Sequence, residues 1–478
     1  MILRLLIVAL ALFGVSSAEA QTSKILGSGI LSPGTSHFYG PMMVLNSATS
    51  SAPSTTALTY IALSPVGFNG SGWTATPAQR RAYIPSAVTL RNLIVRSQTT
   101  MGAGNTITFT VMKNGAATPL QCYVSSSQTV CSCNVTSPQN CSSGGTSGVS
   151  FAAGDYVYIQ ACPQTNDPPS LSGNTCSAVG TSTSSAIDLS LLSDSINGDA
   201  PIFGGTGGSL TTSGSGTYNS VGILHGNTAT DAAEANVVPN GNGGSGTVGT
   251  LNNFYAYGST TPTGATYWTI TIYKNGSPTA ITCQLDLTHN PCSDTTHSIT
   301  VAAGDTLSTQ TVPSASAPLG TLLNTGINWT PTTAGEYPIF QNGGAMQTAA
   351  AVRYINIAGY SGAGFGTSAG NIEAIAPAST SITFKGPSVA FGVAPGGATA
   401  RTTTVYSGSA ANSLSASSVA CVATGAAATC TQAPSTTLTV TGSAPGALNY
   451  VSWVNNCTSG TCAANTWIHT SVIATVVP

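Results

Sequence analysis

Short runs in which apolar and hydroxyl-bearing residues alternate recur along the chain, each closed by a turn built on glycine, asparagine or proline. Ile107 Thr108 Phe109 Thr110 Val111 Met112 and Trp268 Thr269 Ile270 Thr271 Ile272 Tyr273 have the two-residue period of a half-buried strand. Lys113 Asn114 Gly115 closes the first run and Lys274 Asn275 Gly276 the second. Asparagine and glycine both tolerate positive φ, which a tight type I′ hairpin requires at its two central positions. A weaker version, Thr402 Thr403 Thr404 Val405 Tyr406, leads into Ser407 Gly408. Helical periodicity is absent, and the spacing predicts about seven to ten short strands per copy, the pattern of a β-sandwich.

The runs belong to a larger repeat. A cysteine stands seven residues beyond the glycine in the first two copies, and Cys122 with Cys131, Cys283 with Cys292 and Cys421 with Cys430 are each nine apart. Ala152 Ala153 Gly154 Asp155 and Ala302 Ala303 Gly304 Asp305 then launch the next strand, while Pro445 Gly446 Ala447 replaces this turn in the third copy. The copies open alike, at His37 Phe38 Tyr39 Gly40, Pro201 Ile202 Phe203 Gly204 and Tyr337 Pro338 Ile339 Phe340, and each carries a proline-led segment at Pro85, Pro239 or Pro377.

An Asn-Gly hairpin followed by a polar stretch and a strand launched from a Gly-Asp turn resembles the jelly roll of complement globular heads and the tumour-necrosis-factor superfamily. The resemblance spans Asn114 to Ile159 and Asn275 to Leu307, and the third copy departs from it at both motifs. It implies a ten-strand sandwich that trimerises through an apolar face, binds partners at its loops and has no catalytic residues. The expected fold is all-β, three tandem jelly rolls at 21–196, 197–332 and 333–478 after a leader at 1–20. Short connections near Asp194–Asp199 and Thr330–Glu336 favour an intramolecular pseudo-trimer over beads in a row.

Composition places these sandwiches outside the cell. Arg4, the apolar run Leu5 to Val15 and small residues at Ala18 and Ala20 read as a secretory signal. Without it 10 basic and 12 acidic residues remain, too few cations for a phosphate-binding patch, so nucleic acid is not an expected partner. No later stretch is long and apolar enough to span a bilayer. A surface of hydroxyls and amides favours self-association. Twelve cysteines in an exported chain point to disulfides. The three nine-residue pairs, Cys162 with Cys176, Cys457 with Cys462 and Cys133 with Cys141 account for all of them, with exchange between Cys131 and Cys133 left open. No second cysteine pair with histidines stands at zinc-finger spacing.

Candidate chemistry is sparse, and neither a metal nor another cofactor is expected. His37, His225, His289, His297 and His469 form no zincin-type pair and read as surface residues. Asp188, Asp194 and Asp199, Asp231 and Glu234, and Asp286 and Asp294 read as turn or loop carboxylates. The Gly-x-Ser-x-Gly match at Gly366–Gly370 lacks the strand and helix that a nucleophile elbow needs. Trp268, Trp453 and Trp467 fall on strands and read as core. Trp73 and Trp329 sit in loop-like contexts and are the ligand-stacking candidates, with recognition expected in loops such as Val66–Gln79 and Pro163–Thr175. The expected function is a secreted, non-catalytic structural or adhesion component. A glycan- or protein-binding module is the alternative, and a carbohydrate-active enzyme the remaining class.

Overall fold

The computed structural model describes residues 38–42, 53–63, 73–133, 141, 148–166, 169, 176, 187–195, 198–206, 209–210, 216–225, 235–241, 246–314, 321–343, 352–355, 357, 359–361, 374–376, 381–443, 447–457, 462–463 and 467–477. All described strands lie in one unit, His37–Pro478. The leader at 1–20, the Gly366–Gly370 match, His37, Asp231 and Glu234 fall outside the described residues, as do parts of both predicted recognition loops.

The first copy runs β1 (Phe38–Met42), β2 (Thr59–Ile61), β3 (Ala82–Tyr83), β4 (Val88–Ser97), β5 (Thr106–Lys113), β6 (Ala116–Ser125), β7 (Val130–Cys133), β8 (Val149–Phe151), β9 (Tyr156–Gln164) and β10 (Ile187–Ser195). The second runs β11 (Ala200–Thr206), β12 (Thr217–Ser220), β13 (Leu224–His225), β14 (Asn236–Val237), β15 (Thr247–Gly258), β16 (Trp268–Lys274), β17 (Ser277–Leu285), β18 (Cys292–Ala302), β19 (Thr306–Pro313) and β20 (Leu323–Pro331). The third runs β21 (Glu336–Gly343), β22 (Arg353–Ile355), β23 (Gly359–Ser361), β24 (Ala374–Ile375), β25 (Ser381–Phe391), β26 (Ala400–Gly408), β27 (Ser415–Thr424), β28 (Thr429–Thr431), β29 (Thr437–Thr441), β30 (Tyr450–Cys457) and β31 (Ile468–Val477).

Each copy folds into two sheets. Sheet I is ordered β1-β10-β4-β7, β13-β11-β20-β15-β18 or β23-β21-β31-β25-β28, with β8 added on β4 and β29 on β25. Sheet II is ordered β2-β9-β5-β6, β12-β19-β16-β17 or β22-β30-β26-β27, and the short strands β3, β14 and β24 share the edge of β9, β19 and β30. First and last strands of a copy are neighbours, and the chain passes repeatedly from one sheet to the other. The protein is therefore all-β, three tandem jelly-roll sandwiches.

The alternation read from the sequence sets the inward faces. Trp268, Ile270 and Ile272 of β16 enter the second core, while Thr269, Thr271 and Tyr273 stay partly open. In β5 the reading needs correction. Ile107, Phe109 and Val111 fill the first core, but Thr106, Thr108 and Thr110 on the opposite face are also buried. Burying a hydroxyl is costly without a partner: Thr106 Oγ1 donates to Asn166 O at 3.1 Å, just beyond the end of β9, and Thr110 bonds Gln121.

A feature not foreseen from the sequence lies in the middle of β4, β15 and β25. Asn92, Asn253 and Gly386 adopt φ of 55°, 49° and 59°, beside register shifts against β10, β20 and β31. The same bulge thus bends the same strand in every copy, and the residue types are those that tolerate positive φ. An asparagine inside Leu90–Val95, or a glycine inside Ile382–Phe391, was the available signal.

These bent sheets receive the neighbouring copy. β3 lies against β15 and β20, β14 against β21, β25 and β31, and β24 against β10. At the first seam Ser86 Oγ donates to Asn328 Oδ1 at 2.7 Å, and a Cβ on Gly326 would lie 2.2 Å from Tyr83 O. At the second, Asn240 N donates to Gly386 O at 2.9 Å, and a buried Lys385–Glu336 ion pair lies beneath Gly241. At the third, Ile94, Ile375, Leu448 and Tyr450 form a small apolar cluster, and the Arg96 guanidinium sits 4.9 Å from the Tyr450 ring centre. Side chains also cross over: Phe203 joins the first core, Phe340 the second and Leu192 the third.

Candidate functional site

The repeated cysteine pairs sit at the free edge of each sandwich. Cys122–Cys131 joins β6 to β7, Cys283–Cys292 joins β17 to β18 and Cys421–Cys430 joins β27 to β28, with Cα atoms 5.8, 5.7 and 5.8 Å apart. In each case one cysteine lies on the edge strand of sheet II and the other on that of sheet I. The staple therefore clamps two sheets. Cys133–Cys141, Cys162–Cys176 and Cys457–Cys462 complete the set, so all six predicted pairings form.

Two residues after the second cysteine, each corner is capped differently. Asp294 Oδ2 accepts from Thr282 N at 3.0 Å, and Gln432 Oε1 accepts from Ala420 N at the same distance. Both amides directly precede a stapled cysteine and would otherwise face outward from an edge strand. In the first copy the position is Cys133, whose partner Cys141 bridges Cys122 in the ladder. Asp294 also accepts from the amides of Thr296 and His297 at 3.1 Å and pairs with His297 Nδ1. Burial opposes its ionisation, but these donors, led by the Thr282 amide, outweigh it and hold the carboxyl at about 2. Asp286 repeats the motif with Thr288 and His289; burial works against its charge there too, and the same kinds of donor prevail.

A second constellation ties the two predicted turns together. Asn114 and Gly115 have φ of 50° and 83°, Asn275 and Gly276 of 52° and 74°, as the hairpin reading requires. Asn275 Nδ2 donates to Asp305 Oδ1 at 2.7 Å, Asp305 Oδ2 accepts from Ala302 N at 2.7 Å and pairs with Lys274 Nζ at 2.9 Å, and Asn275 Oδ1 accepts from Thr306 N at 2.8 Å. Asn114, Asp155, Ala152, Lys113 and Tyr156 reproduce every contact in the first copy. Burial raises the pKa of each aspartate, yet the amide, asparagine and lysine donors together lower it. The lysine, asparagine and aspartate form one structural lock, and the third copy lacks all three.

The remaining candidates are dispersed. Trp329 is fully buried in the second core: its Nε1 donates to Glu336 O at 3.0 Å and its ring lies over Gly249, where a Cβ would approach to 2.3 Å. No face is open to a ligand, which overturns its reading as a stacking residue. Trp73 is half-buried, packed on the first core with its ring centre 6.0 Å from that of Phe109. Trp268 and Trp453 are core, as expected, and Trp467 precedes β31 with its ring on His469. His289 and His297 are exposed, whereas His469 is buried, against the surface reading. Asp188 pairs with Arg96 at 3.1 Å and Asp199 accepts from Thr330 Oγ1 at 2.7 Å. Among the described residues no three His, Cys, Asp or Glu side chains converge to hold a metal ion, and no helix is long and apolar enough to cross a membrane.

No family model matches the chain, and neither does any curated protein. Among solved structures it is similar to one described as the triple jelly roll fold and turret assembly in an archaeal virus, at 11% identity and a TM-score of 0.17, covering 95% of this chain and 98% of the other. A second, described as the atomic structure of Sulfolobus Turreted Icosahedral Virus, has 11% identity and a TM-score of 0.17 over 94% and 99%. The strand order, rather than these likenesses, defines the fold.

Proposed function

We propose that the protein is an exported, non-catalytic structural component of an extracellular surface or assembly, its three jelly rolls arranged as an intramolecular pseudo-trimer. The observation that carries the reading is the cyclic set of seams: β3 of the first copy on the second, β14 of the second on the third, and β24 of the third on the first. Equivalent strands meet equivalent sheets at every step, which a string of beads does not require. The partition 21–196, 197–332 and 333–478 and the leader at 1–20 belong to this proposal, as does the finer likeness to the complement and tumour-necrosis-factor jelly rolls. Ten described strands in each of the first two copies favour that likeness.

Six disulfides suit an oxidising compartment, where each nine-residue staple contributes about 2–3 kcal/mol by restricting the unfolded chain. A rigid, cross-linked block with hydroxyl-rich faces is suited to packing against further copies. Electron microscopy and sedimentation of the purified mature protein test this. Ordered oligomers, sheets or filaments are expected, and a monodisperse monomer at millimolar concentration overturns the assembly role.

A further inference from the structure

On sheet II of every copy a tyrosine stands at one register position. Tyr60 pairs with Gln160, Tyr218 with Gln310 and Tyr354 with Val454. Those partners lie four residues beyond Tyr156, Thr306 and Tyr450, which pair with Tyr83, Val237 and Ile375 of the seam strands, so the three positions are equivalent. Each ring meets another tyrosine edge-to-face: Tyr158 at 5.4 Å and 84°, Tyr273 at 5.4 Å and 89°, Tyr406 at 6.5 Å and 82°. None of these rings belongs to a sandwich core.

The three faces differ in access and chemistry. In the first copy Thr110, Gln121 and Gln160 are buried, so the row beside Tyr60 is covered; in the third the amide position is Val454, also buried. Among the described residues, the row that carries the tyrosine is polar and reachable in the second copy alone. Thr282, Thr271, Gln310 and Tyr218 follow one another across β17, β16, β19 and β12, and Gln284 and Thr269 stand beside them. Thr282 and Gln284 are exposed, while Thr271, Gln310, Tyr218 and Tyr273 are half-buried. Tyr273 OH donates to Gln310 Oε1 at 2.7 Å and Gln310 Nε2 donates to Tyr218 OH at 3.0 Å. The amide is thereby held in one orientation between two phenols, which removes part of the ordering cost of binding.

We infer that this face, centred on Tyr218, Tyr273 and Gln310, binds an uncharged polysaccharide. The charge match carries the choice of ligand. The two rows hold only hydroxyls, amides, aromatic rings and Val312; the one carboxylate described at their end, Asp294, is buried and capped by the Thr282 amide, and no basic side chain stands in either row. Phosphate polymers and anionic lipid need cations there, which this face does not supply. A neutral sugar chain presents C–H faces to the rings and hydroxyls to the fixed amide and threonines. The inference deepens the surface-component reading and relies on it only for access to extracellular glycans.

Affinity electrophoresis of the full mature protein through gels containing β-glucan, xylan, galactomannan or dextran tests it, with polygalacturonate gels and phosphatidylglycerol vesicles as charged controls. Retardation by at least one neutral polymer is expected. Tyr218→Ala and Gln310→Ala should each weaken it about tenfold, the effect of one lost ring or oriented amide contact, and Tyr354→Ala should not. Gln284→Arg, at an exposed position outside the core, should reduce retardation without touching the fold. Near-UV circular dichroism confirms that each variant is native. Retardation by none of the neutral polymers, wild-type retardation by Tyr218→Ala, Gln310→Ala and Gln284→Arg together, or binding to the charged probes alone overturns the inference. None of these outcomes bears on whether microscopy finds ordered oligomers, so the site and the assembly role fail separately.

Discussion

Replacing Asp305 with alanine should loosen the second sandwich selectively. The substitution removes the acceptor for Asn275 Nδ2 and Ala302 N and leaves Lys274 Nζ with Thr300 O as its described partner. Hydrogen bonds to a charged acceptor are worth about 1.5–3 kcal/mol each, and exposure of the Asn275 bond puts this pair at the low end of that range. The Lys274 side chain is 30% exposed and that of Asp305 14%, so solvent screening reduces the ion pair to under about 1 kcal/mol. A net loss of about 2 kcal/mol follows, which raises amide exchange through local opening about thirtyfold in Trp268–Pro313. Exchange is the assay of choice because a chain of three sandwiches need not unfold in two states. Asn275→Ala and the double variant complete a cycle with an expected coupling of about 1 kcal/mol. The pH dependence has a definite sign. Burial raises the Asp305 pKa, the Ala302, Asn275 and Lys274 donors more than offset it, and the folded value lies below the unfolded one. The contribution is therefore complete above the ordinary carboxylate range, about pH 4, and is lost as pH falls through the folded pKa. Unchanged exchange in Asp305→Ala, or strict additivity with Asn275→Ala, would refute the lock.

Three further outcomes are expected. Cys283→Ser with Cys292→Ser should cost the second sandwich about 2–3 kcal/mol, read as faster exchange in β17 and β18 with β27 unaffected. Trp329→Ala should cost about 3–5 kcal/mol, because it opens a cavity over Gly249 and strips Glu336 O of its indole donor, and thermal unfolding followed by near-UV circular dichroism measures it. Gly386→Ala should free the second seam, since φ is 59° and a Cβ there would lie 1.7 Å from Asn240 O; faster proteolysis at 332–335 reports the loss, while Asn253→Gly should have little effect.

What was legible in the sequence was whatever a short stretch decides alone. The alternation in Trp268–Tyr273 fixes an inward face, Asn275-Gly276 fixes a turn, and the nine-residue spacing keeps cysteine partners within reach however the sheets are arranged. Trp329 escaped because its surroundings, Asn328 and Thr330–Thr333, look like a loop, whereas the residue it packs on is Gly249, eighty positions earlier. Phe203 and Phe340 read as part of each copy's opening strand, but the cores they enter belong to the preceding copies, which no local pattern reveals. Asn92 and Asn253 could have been found, since an asparagine inside an apolar strand is costly unless its tolerance of positive φ is used. His469 could not: its burial depends on pairing opposite Asn342 and Ala390.

The third copy gives the reason for treating the lock as a unit. It has lost the lysine, the asparagine and the aspartate together, and any one of them alone would leave charged or amide groups short of partners. Its hairpin has grown instead, with residues 409–414 between β26 and β27, where the other copies turn in two. The added residues reach the seam with the first copy: Ala411 and Leu414 pack on the cluster of Ile94, Ile375, Leu448 and Tyr450. A two-residue turn is short enough to be pinned by the Gly-Asp turn beside it, and a six-residue turn is not. The longer turn exchanges an internal polar tether for apolar burial on the seam cluster. Loss of the motif in one copy is thus a change of partner, from the copy's own turn to the seam, and it follows from the same cyclic contacts that underlie the proposed assembly role.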